Sequence, residues 1–202
     1  MEKCTFSIVT QKYLVCSEKI LNNMISNMSN IRINDSVSAD FIVTMIPHHE
    51  AAVKFSEELL KYTTDICLQE TAQKIINGQT KDVETMREIF CGCRRYRNDP
   101  QSMCAYRRQY GTVTQNMFSR MKSACPDNNI NINYIRQMIP HHEGGIAMSR
   151  NALRFNICPR LRLMLNEMIE SQFKGVEEMK KVMKCYSKSN PVSGGEKLLS
   201  PL

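Results

Sequence analysis

Apolar residues recur along this chain at helical spacing, and strand-like alternation is almost absent. The pattern predicts six helices, over residues 16–30, 39–62, 65–90, 107–124, 132–155 and 160–185. In the second, Phe41, Met45, His48, Ala52, Phe55 and Leu59 follow the 4-3-4-3-4 spacing of a bundle seam. In the fifth, the matching seam is Tyr134, Met138, His141, Gly145, Met148 and Ala152. The third helix carries Leu68, Ala72, Ile75, Gln79, Val83 and Met86, and the sixth Leu161, Leu165, Met168, Gln172, Val176 and Met179. Each of these two stripes has one polar member, Gln79 or Gln172. Short turns at Thr63-Thr64 and Cys158-Pro159 fold their flanking helices into antiparallel hairpins. Ser38 and Asp40 are expected to cap the second helix, and Asn133 the fifth.

The chain repeats itself. Met45-Ile46-Pro47-His48-His49-Glu50 returns 93 residues later as Met138-Ile139-Pro140-His141-His142-Glu143. The same ungapped offset carries Met24 onto Met117, Gln79 onto Gln172 and Met86 onto Met179. So long a register indicates a duplicated structural unit. The expected organisation is a first three-helix repeat over 1–93, a linker over 94–106, a second repeat over 107–186 and a disordered tail over 187–202. The two repeats should form one all-α domain. Its core is a four-helix bundle of two pseudo-symmetric hairpins, with one extra N-terminal helix per repeat on its ends or sides.

Composition narrows the class. With 42% apolar and 23% charged residues, the 202-residue chain is globular. No run approaches a membrane span, and no signal peptide is recognised, so a cytoplasmic protein is expected. Nine cysteines would then be free thiols or soft-metal ligands. Cys91, Cys93 and Cys185 are the weaker metal or redox candidates. The net charge of +7 and the run Arg94-Arg95-Tyr96-Arg97 do not amount to a nucleic-acid motif. The expected partners are a metal ion and, at most, a second copy of the chain, with no membrane and no nucleic acid.

All four histidines of the chain lie in the repeated string. His48 and His141 fall on the main seams, and His49 and His142 on an adjacent apolar stripe about 100° round the helix. Imidazole suits copper, zinc, iron and nickel, and thioether suits Cu(I). Met45 and Met138 lie one turn before each His pair. The metal candidates are therefore His48, His49, His141, His142, Met45 and Met138, with Gln79, Gln172, Glu50 and Glu143 as hydrogen-bonding supports. Pseudo-two-fold packing would bring the four imidazoles to one site, a copper ion being favoured. The competing reading is a metal-free interaction bundle in which His and Gln form a polar core layer. Di-iron oxidase chemistry fits worse, because no Glu-x-x-His motif is present. Catalysis is not indicated.

These residues resemble a known family, the ferritin-like helical family called domain of unknown function 305. Its hallmark is a phenylalanine, then MIPHH, then small residues and a methionine, followed by a Q-x-x-E-I-x-x-M run. Here Phe41 precedes Met45 to His49, and Gln79, Asp82, Val83 and Met86 follow. In the second unit Tyr134 precedes Met138 to His142, and Met148, Gln172, Val176 and Met179 follow. Gly175 stands where the first unit has Asp82, and Phe55 where the second has Met148. The resemblance implies a ferritin-like helical bundle and copper binding, as in the family's periplasmic members.

Overall fold

The computed structural model describes residues 6–30 and 34–189. They form six helices, α1 (Ile8–Ser29), α2 (Val37–Leu60), α3 (Ile66–Cys93), α4 (Pro100–Lys122), α5 (Ile130–Ala152) and α6 (Pro159–Ser189). No strand occurs among the described residues. The seams behave as their spacing requires: Phe41, Met45, His48, Ala52, Phe55 and Leu59 are all fully buried.

Several helix ends differ from expectation, each for a local reason. α1 starts at Ile8 because Ser7 Oγ accepts a 3.1 Å bond from the Thr10 amide. Asp99-Pro100 opens α4 inside the expected linker. Asp99 accepts from the Ser102 amide at 2.9 Å, and Pro100 takes the first helical position, where its missing N–H costs nothing. α2 is capped by Ser36 and α5 by Asn129. Ser38 instead accepts the Cys158 amide at 3.0 Å, tying the start of α2 to the turn before α6. Asp40 binds Asn34 and, at 3.0 Å, Arg107. Asn133 bonds both backbone groups of Asp127. The expected tail lies outside the described residues from 190 onward, while 187–189 continue α6.

α2, α3, α5 and α6 pack in a ring, each against two of the others, as an all-α four-helix bundle. α1 lies along α2 and α4 along α5. α2 and α5 begin 93 residues apart, as do α3 and α6. An edge-on pair, Tyr13 with Tyr62 at 6.1 Å, recurs at that offset as Tyr106 with Phe155 at 5.8 Å. Among the described residues no helix is long and apolar enough to cross a membrane.

The cysteine expectation needs correction. Cys93 and Cys158 are buried and joined as a disulfide, which ties the end of α3 to the turn before α6. Cys91 is two residues earlier, about 200° round the helix, and exposed. The Cys-x-Cys pair is therefore split and cannot grip one soft ion. Cys185 is exposed on α6. The basic segment is partly consumed as well, with Arg97 paired to Asp35 and Arg107 to Asp40.

Candidate metal centre

The middle of α2 faces the middle of α5, and there the four imidazoles divide into two kinds. His48 and His141 stack with centroids 3.6 Å apart and planes 20° from parallel. Each Nε2–H donates to the backbone carbonyl of the other residue, at 3.1 and 3.0 Å. This reciprocal clamp fixes α2 against α5. It directs both Nε2 atoms at carbonyl oxygens rather than at an ion, so the four histidines do not converge on a single centre.

His49 and His142 point the other way, toward α3 and α6. His49 Nε2 stands 3.4 Å from Asp82 Oδ2 without forming a regular hydrogen bond. The proton count there is informative. In a neutral His48 whose Nε2 carries the hydrogen, Nδ1 is a bare lone pair. His49 Nδ1, 3.5 Å away, is then the donor of the two. In a neutral His49 this leaves Nε2 as a lone pair directed at a carboxylate, an arrangement that calls for a cation; in an imidazolium, Nε2–H and Asp82 form an ion pair.

Position 175 is the counterpart of Asp82, and there glycine leaves an opening. The His142 ring edge, Cδ2 and Nε2, passes 3.4 Å from where a Cβ on Gly175 would sit. His142 thereby lines a cavity of about 290 Å³ between α3 and α6, together with Asp82, Gln79, Gln172 and Gly175. Gln79 Oε1 and both terminal atoms of Gln172 are buried there without partners. The glutamines were expected to be satisfied by imidazole, but these atoms are not. Such orphaned groups in a polar cavity invite an ion or water.

Burial dominates the electrostatics. It pushes the His48 and His141 pKa values well below the ordinary imidazole range, helped by the charge each histidine places on its neighbours. His142 is lowered to about 4 by burial and then by His49. His48, His141 and His142 are therefore neutral at physiological pH, the form that binds metals.

Other expected members lie elsewhere. Met45 and Met138 are fully buried in the apolar core. Glu50 turns to Arg87 at 2.7 Å, and Glu143 to Arg120 at 2.7 Å and Lys180 at 3.6 Å, so neither supports an imidazole. Among the described residues no three His, Cys, Asp or Glu side chains form a ready-made cage. His49 and Asp82 face each other, and His142 lines the adjoining cavity with Gln79 and Gln172. Asp82 is the member that the sequence reading did not assign. Its place one helical turn after Gln79 was the available signal.

In the second unit, Gly144 and Gly145 let neighbouring helices approach closely. A methyl group on Gly144 would run into the Met117 side chain of α4, and one on Gly145 into the Gln172 amide of α6. Glycine in mid-helix costs roughly 1 kcal/mol relative to Ala. Gly144→Ala should nonetheless destabilise the protein by about 1 kcal/mol net, because overpacking typically costs about 1–3 kcal/mol. Thermal melting checks this, and a higher Tm would show that Met117 yields freely.

The comparison with family models gives this helical bundle its class. The chain belongs to the family Domain of unknown function (DUF305), whose model matches residues 18–90 and 38–183. No curated protein matches the chain. Among solved structures it is similar to CopM in the Ag-bound form obtained by co-crystallization. That match has 22% identity and a TM-score of 0.56, covering 74% of this chain and 96% of that one. CopM in the Cu(II)-bound form matches at 21% identity and a TM-score of 0.56, covering 74% and 97%. The Cu(I)-bound form matches at 23% and 0.53, covering 74% and 96%. At these identities the likeness is one of fold.

Proposed function

We propose that this protein binds copper and acts in its buffering or tolerance, with the ion held at the α3–α6 side of the bundle. The carrying observation is the 3.4 Å gap between His49 Nε2 and Asp82 Oδ2. Two donors about 2.0–2.1 Å from one ion lie about 2.9 Å apart at the right angle of tetragonal Cu(II) and about 3.4 Å apart at a tetrahedral angle, so a small side-chain adjustment closes the gap on Cu(II). His142 and the unpaired amide oxygens of Gln79 and Gln172 are the further ligands or their supports. Gly175 keeps the approach open where a second carboxylate would fill it. The same fold in Ag- and copper-bound CopM supports the choice of ion. Imidazole and carboxylate favour Cu(II), and the amides adapt to either state.

The metal-free reading is favoured by one observation, the His48–His141 clamp. It explains those two residues as register-fixing core. It leaves the His49, Gln79 and Gln172 polar atoms unpaired, and the metal reading does not. The disulfide bears on the setting: such bonds persist in oxidising compartments, which argues against the cytoplasmic expectation.

An anaerobic titration with Cu(I), Cu(II), Zn(II) and Fe(II) tests the proposal. His49→Ala/His142→Ala should weaken copper binding by about 100-fold or more, since even outer supports of a metal site are worth about 10–100-fold. Undiminished binding in that variant would sink the reading.

A further inference from the structure

The repeat supplies an internal control for a second site. On the outer face of the second unit, between α4 and α6 and floored by α5, lies a groove of about 430 Å³. Its walls are apolar, formed by Val113, Ile146, Ala147, Phe173 and Val176, with Phe173 half exposed. Arg150, Arg154 and Lys180 line it as well, with Glu143, whose carboxylate is held by Arg120 and Lys180. Lys180 is already shared between Glu143 and Glu177. Neither Arg150 nor Arg154 meets a carboxylate among the described residues.

The equivalent face of the first unit is differently furnished. There Lys54 stands for Ala147, Glu57 for Arg150, Glu58 for Asn151 and Lys61 for Arg154. Glu58 is nearly buried and meets Lys61 at 2.6 Å, so that unit carries its own carboxylate on its own cation. In the second unit the acid is gone and the cation remains. Asn151 is buried, spends its amide N–H on the Tyr106 carbonyl at 3.0 Å, and leaves Oδ1 without a partner. Lys54 is exposed on that face, and the second unit has only the methyl group of Ala147 in its place.

We propose that this groove binds a small amphipathic carboxylate, whose anionic head takes the place on Arg154 and Arg150 that Glu58 takes on Lys61. The guanidinium fork matches a carboxylate. The apolar walls accept an alkyl or aryl body, and the volume is that of a small-molecule site.

Calorimetric titration with decanoate, in the presence of a chelator, is the test. Decanoate should bind the wild-type protein, and decyltrimethylammonium should not. Asn151→Glu, which restores an internal acid, and Arg150→Glu/Arg154→Glu should each weaken decanoate binding at least about tenfold. Ala147→Lys should do the same by filling the groove, with helicity confirming that each variant folds. No decanoate binding at millimolar concentration, equal binding of the cationic analogue, or unchanged affinity in Asn151→Glu and the double arginine variant would overturn the proposal.

Discussion

Chelator-treated protein should lose stability steeply as the pH falls from 6.5 toward 4. In the unfolded chain the histidines titrate near 6.5. In the folded chain burial holds His48 and His141 well below that value and His142 at about 4. Between those limits the unfolded state binds protons that the folded state refuses. The stabilisation is therefore complete above about pH 6.5 and is lost as the pH falls, down to the folded pKa values. His142 alone accounts for about 3 kcal/mol across that interval, at about 1.4 kcal/mol per pKa unit. His48 and His141 add to it in the same direction. Urea denaturation at a series of pH values reads the effect. His142→Gln should flatten the slope by about one proton. A midpoint that stays level from pH 7 to 5 would mean that the imidazoles are solvated.

Replacing Cys93 and Cys158 together by Ala should cost about 4 kcal/mol. The bridge closes a loop with a sequence separation of 65 residues, and chain entropy alone gives that magnitude for such a loop. Measured values for native disulfides run from about 2 to 5 kcal/mol. The effect should appear as a lower denaturation midpoint, and reduction of the wild-type protein should reproduce it. The change should leave copper affinity intact, because the bridge lies at the hairpin ends and His49 in mid-helix. An unchanged midpoint on reduction would show that the two thiols are not joined in solution.

The bundle was legible because its seams are periodic: every residue of the Phe41-to-Leu59 and Tyr134-to-Ala152 stripes is buried. What the sequence hid are interactions made across the chain. Ser38 and Asp40 carry the chemistry of caps, but one accepts the Cys158 amide and the other pairs with Arg107. Nothing in a one-dimensional pattern reveals that His48 and His141 bind each other's carbonyls. Buried position and ligand-type chemistry look the same for a clamp as for a metal site. Glu50 and Glu143 sit beside the histidines in sequence, yet side chains one residue apart diverge by about 100° on a helix. Asp82 and Gly175 were visible as a break in the repeat. Their meaning appears only once His49 is found on the acid and His142 over the glycine. The disulfide joins residues far apart in the chain, and pairing cannot be deduced from cysteine positions alone.

X-ray absorption at the copper edge of the loaded protein tests most directly where the ion sits. Coordination by His49, Asp82 and His142 predicts a first shell of nitrogen and oxygen at about 2.0 Å with the outer-shell pattern of imidazole, and loss of one oxygen in Asp82→Asn. A shell dominated by sulfur at about 2.3 Å would contradict it and hand the ion to the methionines or cysteines instead.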